Sequence, residues 1–405
     1  MSEKFINNTD SLLFYETRSS SFKRFPLWIS SSIAEVRPNI KLNFLSNEIF
    51  DHNQRVILNK SFVTEPNYCS VLTPTVGKFI KVLKELRPST VIVFAHRIPD
   101  IALIVAARSL SIKTVYYQHG LYIPFMRREA SLFFRNLIKT FRYAAYAMSI
   151  GRHIGIGRVN GISAYLKIFL RGGSFRQQGF PVDLTIADCC LVYGEHWVEY
   201  HQFEYGYNLD SIKIVGTPDL NGINLDSRDL IPLANKRDSI CYVAQTLVED
   251  GRLQSEKMKI FLEGMAKSIR ECETQLIVKL HPRSDISLYE NLNCNIKLTH
   301  EFPAAQCYVG HYSTILIRGI AFSEKFLLVN YPSHCIPEYI KLLASVELNY
   351  TDFDKLSRCI SDSLLSSVDP GVIFDKRQKI KKYFHSNKEN PFDRAAQAIL
   401  HLSGT

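Results

Sequence analysis

The sequence has no C-x-x-C pair, no apolar run approaching 18 residues, no evident carboxylate cluster and no acidic residue between Glu129 and Asp183. Its nine cysteines, at 69, 189, 190, 241, 272, 294, 307, 335 and 359, are odd in number and lack the spacing of a zinc site or redox couple. Several lie in apolar runs, where a free thiol behaves as a small buried hydrophobe, so a reducing cytoplasm is expected. Without a long apolar run no membrane span is expected. The N-terminus, MSEKFINNTDSLLFYETRSSS, lacks the basic-then-apolar order of a signal peptide. A cytoplasmic protein follows, either soluble or attached to the inner face of the plasma membrane. Without a carboxylate cluster, chemistry independent of metal and of any cofactor is expected.

What is present is a chain of 405 residues, 46% hydrophobic and 22% charged, which is too long for one typical core. Two domains are expected, residues 1–230 and 231–405, joined by the polar, turn-rich stretch LNGINLDSRDLIPLANKRD (220–238). A formal charge of +10 favours an anionic partner: nucleic acid, an anionic membrane surface, or an acidic small molecule or polymer.

Strand and helix patterns alternate along both halves. SLLFY (11–15) reads as a strand and TVGKFIKVLKELR (75–87) as a helix; VIVFAH (91–96), PDIALIVAARSLSI (99–112) and TVYYQ (114–118) then read as strand, helix, strand. DCCLVYG (188–194), EHWVEYHQFEYG (195–206) and IKIVGTP (212–218) repeat the order. SICYVAQ (239–245), a helix at 253–271, QLIVKLHP (275–282), QCYVGH (306–311), a helix at 314–322 and KFLLVNYP (325–332) continue it, and FDRAAQAILHL (392–402) closes the chain as a helix. Apolar β-branched strands joined by helices predict parallel sheets covered on both faces, hence an α/β protein of two doubly wound, Rossmann-like domains facing a cleft.

Residues 125–182 break the pattern. Arg135, Lys139, Arg142, Arg152, Arg158, Lys167, Arg171 and Arg176 are interleaved with aromatic and aliphatic residues, which predicts a basic amphipathic helical insertion. It would suit an anionic membrane surface or an anionic glycan, or simply be a solvated helical face; no nucleic-acid motif accompanies it. The glycines of GRHIGIGRVNG (151–161) do not follow a strand and depart from G-x-G-x-x-G spacing, so they read as a loop.

Parallel sheets bind ligands beyond the carboxyl ends of their strands. Three predicted ends carry polar residues: Gln118-His119-Gly120, His281-Pro282-Arg283 and His311-Tyr312-Ser313-Thr314. VKLHPRSD places Lys279, His281 and Arg283 where Pro282 stops a strand, a set suited to phosphate but equally to a turn with two solvated cations. Ser313 and Thr314 enter a helix, either as a plain cap or as part of an anion site.

VKLHPRSD followed some 30 residues later by a Ser-Thr helix start resembles the paired HP and S motifs of GT-B-fold transferases that use cytidine nucleotides. These are the bacterial sialyltransferases and polysialyltransferases, related capsule enzymes, and the CDP-glycerol glycerophosphotransferases. IKIVGTPDL (212–220) is similar to the strand that closes the first domain of the last group, and YYQHGLYIP to a segment whose histidine serves as base. The resemblance covers roughly residues 90–335. It implies that His119 deprotonates an acceptor hydroxyl flanked by Gln118 and Gly120. His281, the second catalytic candidate, would contact the donor phosphate or ribose, and Ser313 with Thr314 would bind phosphate. Lys279, Pro282, Arg283 and His311 would belong to the same donor site, and the loop from Gln245 to Gly251 would close over the donor. Two departures matter. Glu249-Asp250-Gly251 lies in the second half, whereas the acidic motif of polysialyltransferases lies in the first. Arg318 stands where glycerophosphotransferases carry an acidic residue, which suits a donor bearing its own carboxylate.

The expected activity is inverting transfer of a CMP-activated acidic sugar, of sialic acid or Kdo type, onto a glycan or glycolipid of a bacterial capsule or lipopolysaccharide. CDP-glycerol or CDP-ribitol transfer is the alternative on the same fold, a sugar-nucleotide epimerase is a further one, and a non-catalytic GT-B-like scaffold binding membrane or polyanion through residues 130–182 is the alternative of another class.

Overall fold

The computed structural model describes residues 11–120, 133–171, 180–227, 239–331, 336–367, 369–385 and 389–404, without the side chains of 133–140 and 168–171. The expected domain boundary near 230 lies outside these residues. Described residues up to 119, with 135–218 and 389–404, form one compact unit, and those within 120–134 and 219–388 form another.

The first unit is built on seven parallel strands in the order β3-β2-β1-β4-β5-β6-β7. These are β1 (Ser11–Glu16), β2 (Lys41–Ser46), β3 (Asn67–Ser70), β4 (Thr90–Val93), β5 (Lys113–Tyr117), β6 (Cys189–Val192) and β7 (Ile212–Ile214). Every residue of β1 and β4 is buried, as a sheet covered on both faces requires. Crossover helices at Phe25–Val36, His52–Asn59, Val76–Leu86 and Ile98–Ser109 supply that cover. The chain reverses direction of travel between β1 and β4, and the register Tyr15↔Val93 and Val93↔Tyr116 sets the carboxyl ends of β1, β4 and β5 level.

The second unit repeats the design with six parallel strands in the order β10-β9-β8-β11-β12-β13. They are β8 (Ser239–Val243), β9 (Gln275–Lys279), β10 (Ile296–Thr299), β11 (Cys307–Gly310), β12 (Phe326–Asn330) and β13 (Val346–Asn349). Its core includes Tyr242, Phe261, Leu276, Val309 and Leu327. Both units therefore have the predicted doubly wound architecture.

The C-terminal limit of the second domain needs correction. The helix Pro391–Ser403, expected to end the second domain, belongs to the first unit, where it packs on Phe25–Val36 with Phe392 against Trp28 at 5.1 Å between ring centres. Burial of its Phe392, Ala395, Ala396 and Ile399 stripe fixes it there.

Within the basic insertion the described residues include two helices, as its composition predicts, Phe133–His153 followed by Arg158–Arg171. The glycines at 151–161 have a packing role at this helical turn. A Cβ at Gly151 would collide with the Gly157 carbonyl oxygen and stand 2.9 Å from Gly161 Cα, and one at Gly161 would collide with the Ala147 carbonyl oxygen. Gly161→Val is therefore expected to cost about 1–3 kcal/mol in urea unfolding, as overpacking does. Gly77→Ala, with nothing within 4 Å of its added carbon, should be neutral or stabilising; equal effects at both positions would refute this packing account.

Candidate functional site

At the carboxyl edge of the first sheet, three adjacent strands deliver charged groups. Glu16 ends β1 with 2% exposure, Arg97 follows β4, and His119 follows β5. Arg97 donates from Nη2 to Glu16 Oε2 at 3.0 Å, from Nε to Asp100 Oδ2 at 2.7 Å and from Nη1 to Thr17 Oγ1 at 2.8 Å. Asp100, fully buried in the first turn of the helix Ile98–Ser109, also accepts from the Arg97 backbone N–H at 3.1 Å. His119 Nδ1 lies 3.5 Å from Glu16 Oε1, and its ring stands edge-on to Phe25 at 5.0 Å. Burial alone would raise the Glu16 carboxyl, but the His119 hydrogen bond and the Arg97 guanidinium outweigh it and hold Glu16 below the usual carboxylate range. Glu16 is thus an anion at neutral pH that faces Nδ1, which directs Nε2 of the 37%-exposed imidazole to other partners. Gly120 adopts φ +76°, a left-handed turn that ends the strand just after His119.

Glu16, Arg97 and Asp100 were not among the expected site residues. Their signal is the one that singled out His119: a polar residue closing an apolar strand, here SLLFYE and VIVFAHR. Gln118 needs the opposite correction. Its side chain is wholly buried, with Oε1 accepting from the Tyr193 N–H at 3.0 Å, so it joins β5 to the chain beyond β6 and faces no acceptor.

In the second unit, the switch in strand order falls between β8 and β11, so the loops after β8, β9 and β11 form the ligand edge. The loops after β8 and β9 are laced together. Arg283 donates to Asp250 at 2.8 and 3.2 Å and to Thr246 Oγ1 at 3.1 Å, while Glu249 accepts from the Asp285 N–H at 2.7 Å. Burial alone would raise the Asp250 carboxyl, yet the hydrogen bonds from Arg283 and Thr246 hold it below the usual range. Arg283, expected as a phosphate contact, is therefore already committed to a carboxylate. Lys279 donates from Nζ to the Leu280 carbonyl at 2.9 Å. Gln245 accepts from the Tyr312 N–H at 3.4 Å, tying the β8 loop to the β11 loop.

His281 is half-buried, beside the exposed Pro282. Its Nδ1 accepts from the Arg283 N–H at 3.1 Å, which places its proton on Nε2. The imidazole is thus a hydrogen-bond donor even when neutral. Ser313 and Thr314, half-buried, begin the 3-10 helix Thr314–Ala321, and neither hydroxyl makes a hydrogen bond among the described residues. Ser313 does not cap that helix with its side chain, contrary to the simple capping reading. Arg318, one turn in and half-exposed, makes no ion pair among the described residues. His311 must be removed from the ligand contacts. It is 1% exposed, with Nε2 3.1 Å from Tyr242 Oη and Nδ1 2.9 Å from the Val329 carbonyl, so it braces the core beneath the loop.

Asp352 and Asp354, in D-x-D spacing, start the helix Phe353–Leu365, where Asp352 accepts from the Asn349 N–H at 2.9 Å. No group of three or more potential metal ligands occurs among the described residues. No helix among them is long and apolar enough to cross a membrane.

The sequence matches no family model and no curated protein. Solved structures do match. A UDP-glucose: anthocyanidin 3-O-glucosyltransferase in complex with UDP is similar over 98% of this chain and 99% of its own, with a TM-score of 0.55 at 12% identity. The UDP-GlcNAc 2-epimerase of Methanocaldococcus jannaschii, in complex with UDP-GlcNAc and UDP, matches over 96% and 99%, with a TM-score of 0.53 at 15% identity. That of Neisseria meningitidis, bound to UDP-GlcNAc, matches over 96% and 98%, with a TM-score of 0.51 at 13% identity. At such identities the likeness is one of fold: the chain has the GT-B fold, two Rossmann-like α/β units of parallel sheet.

Proposed function

We propose that the chain is an inverting glycosyltransferase that moves an acidic sugar from a CMP-linked donor to a hydroxyl of a bacterial capsule or lipopolysaccharide glycan or glycolipid. The observation that carries this reading is the pairing of an accessible imidazole, His119, with the ionised and buried Glu16 at a strand-end edge. Such a pair is a general base. Nε2 takes the proton of the acceptor hydroxyl while its oxygen attacks the anomeric carbon. The bond from that carbon to the phosphate oxygen breaks, and its electron pair leaves with CMP.

In the second unit, His281 Nε2–H and the hydroxyls of Ser313 and Thr314 are the groups suited to the departing phosphate. Arg318, without an ion pair among the described residues, suits the carboxylate of an acidic sugar. The transfer chemistry itself needs no metal in this scheme, because hydrogen-bond donors and cations neutralise the leaving group.

A second reading, a UDP-sugar enzyme including an epimerase that needs no acceptor, draws support from the UDP and UDP-GlcNAc ligands of the similar structures. Calorimetry with CMP, CDP, UMP and UDP separates the readings. CMP is expected to bind at least tenfold more tightly than UMP, and His281→Ala with Ser313→Ala to weaken it by on the order of tenfold per lost contact. A preference for UDP would favour the second reading, a preference for CDP would favour polyol-phosphate transfer, and no saturable binding would leave a scaffold.

A further inference from the structure

We propose that the helices Phe133–His153 and Arg158–Arg171 present a docking face for the surface of an anionic lipid bilayer. Exposure along the first helix has helical period. Phe141, Arg142, Ala145, Arg152 and His153 are exposed, whereas Tyr146, Ala147, Ile150 and Gly151 are buried. The second helix repeats this, with Val159, Ser163, Leu166 and Lys167 exposed and Gly161, Ala164 and Tyr165 buried. The buried stripes account for the folding of these helices. The exposed ones have no structural use: Phe141 is 69%, Val159 78% and Leu166 42% exposed.

Charge decides the occupant. Arg142, Arg152, Arg158 and Lys167 are exposed and make no ion pair among the described residues. An ordinary solvated helix would set carboxylates three or four residues from such cations, yet residues 130–182 contain none. Nucleic acid would use the cations but gain nothing from Val159 and Leu166. A phospholipid surface uses both, with cations at the phosphates and apolar side chains at the acyl boundary. Neither helix is long and apolar enough to cross the bilayer, so the face lies on it.

Flotation of the full chain with vesicles tests this, using neutral phosphatidylcholine alone and with about a third replaced by phosphatidylglycerol. Partitioning is expected to rise at least about tenfold with the anionic lipid and to fall as salt shortens the screening length. Arg142→Glu with Arg152→Glu and Arg158→Glu should reduce it by about fivefold or more per position, and Phe141→Ser should weaken what remains at high salt. Equal binding to both vesicles, partitioning unchanged by the triple variant, or binding to heparin or DNA but not to vesicles would each overturn the proposal. Nucleotide calorimetry on the same triple variant keeps the tests apart: it should match the wild type whether or not the membrane face is real.

Discussion

His119→Ala is expected to lower kcat by on the order of 10²–10⁴, the usual worth of a general base, while leaving nucleotide affinity within a factor of two or so. Glu16→Gln should lower kcat by on the order of 10–10², because the imidazole loses the anion that orients it and small displacements of a base are costly. The amide preserves the shape of the buried side chain, and Arg97 keeps Asp100 as a partner at 2.7 Å, so the strand end should stay folded. The two residues act as one unit, so the double variant should be no slower than His119→Ala alone. That non-additivity separates positioning from a general structural loss, which would add a further decrement. Transfer of labelled sugar, measured as kcat and KM separately, checks both claims. Turnover of His119→Ala within threefold of wild type would remove the base and with it the proposed mechanism.

The sheet edges were legible in the sequence because parallel strands announce themselves. SLLFYE, TVIV and SICYV are buried throughout around apolar middles, and each is followed within a few residues by polar ones. Strands β2 and β3 were not legible. Asn43, wholly buried in the middle of KLNFLS, interrupts the apolar run and holds its place by donating to Ser11 Oγ at 2.9 Å and the Leu12 carbonyl at 3.0 Å and accepting from Asn67 Nδ2 at 2.8 Å. β3, at the sheet margin, is half-exposed and lacks the signature of a buried strand. The candidate site shows the same division. A polar residue at a strand end signals position along the chain, but not where its side chain turns. Gln118 and His311 turn inward to Tyr193, Tyr242 and Val329, and His119 turns to a carboxylate that ends a strand far away in sequence. Pairings across such distances are set by sheet order, which no local pattern encodes.

Acid is expected to destabilise the first unit in a window above that of its carboxylates. Beside the Arg97 network, His96 and His201 are packed among tyrosines. The His96 ring stacks on Tyr205 at 4.3 Å, with Nε2 3.0 Å from Tyr207 Oη, and His201, wholly buried, stacks on Tyr205 at 5.3 Å. Burial pushes His201 down to about 4, and burial with the neighbouring His201 imidazole holds His96 well below the ordinary histidine range. An unfolded histidine titrates near 6.5, so below that pH the unfolded chain binds protons that the folded unit refuses. The stability contributed by a neutral His201 is therefore complete above about 6.5 and lost as pH falls toward 4, amounting to about 3 kcal/mol at the lower end. Glu16, whose carboxyl is depressed, loses its contribution only below the ordinary carboxylate value of about 4.3, so the two windows separate. Urea unfolding at several pH values between 7.5 and 4.5 should show the slope in the wild type. His201→Phe keeps a ring against Tyr205 but cannot take up a proton, so it should reduce that slope to the share left by His96 even if it costs stability at neutral pH. A wild-type curve level across this range, or an unchanged slope in the variant, would show that protons reach these imidazoles without opening the fold. Because His96 immediately precedes Arg97, the same acid opening should loosen the edge that holds Glu16 to His119, and activity should fall together with stability across that window.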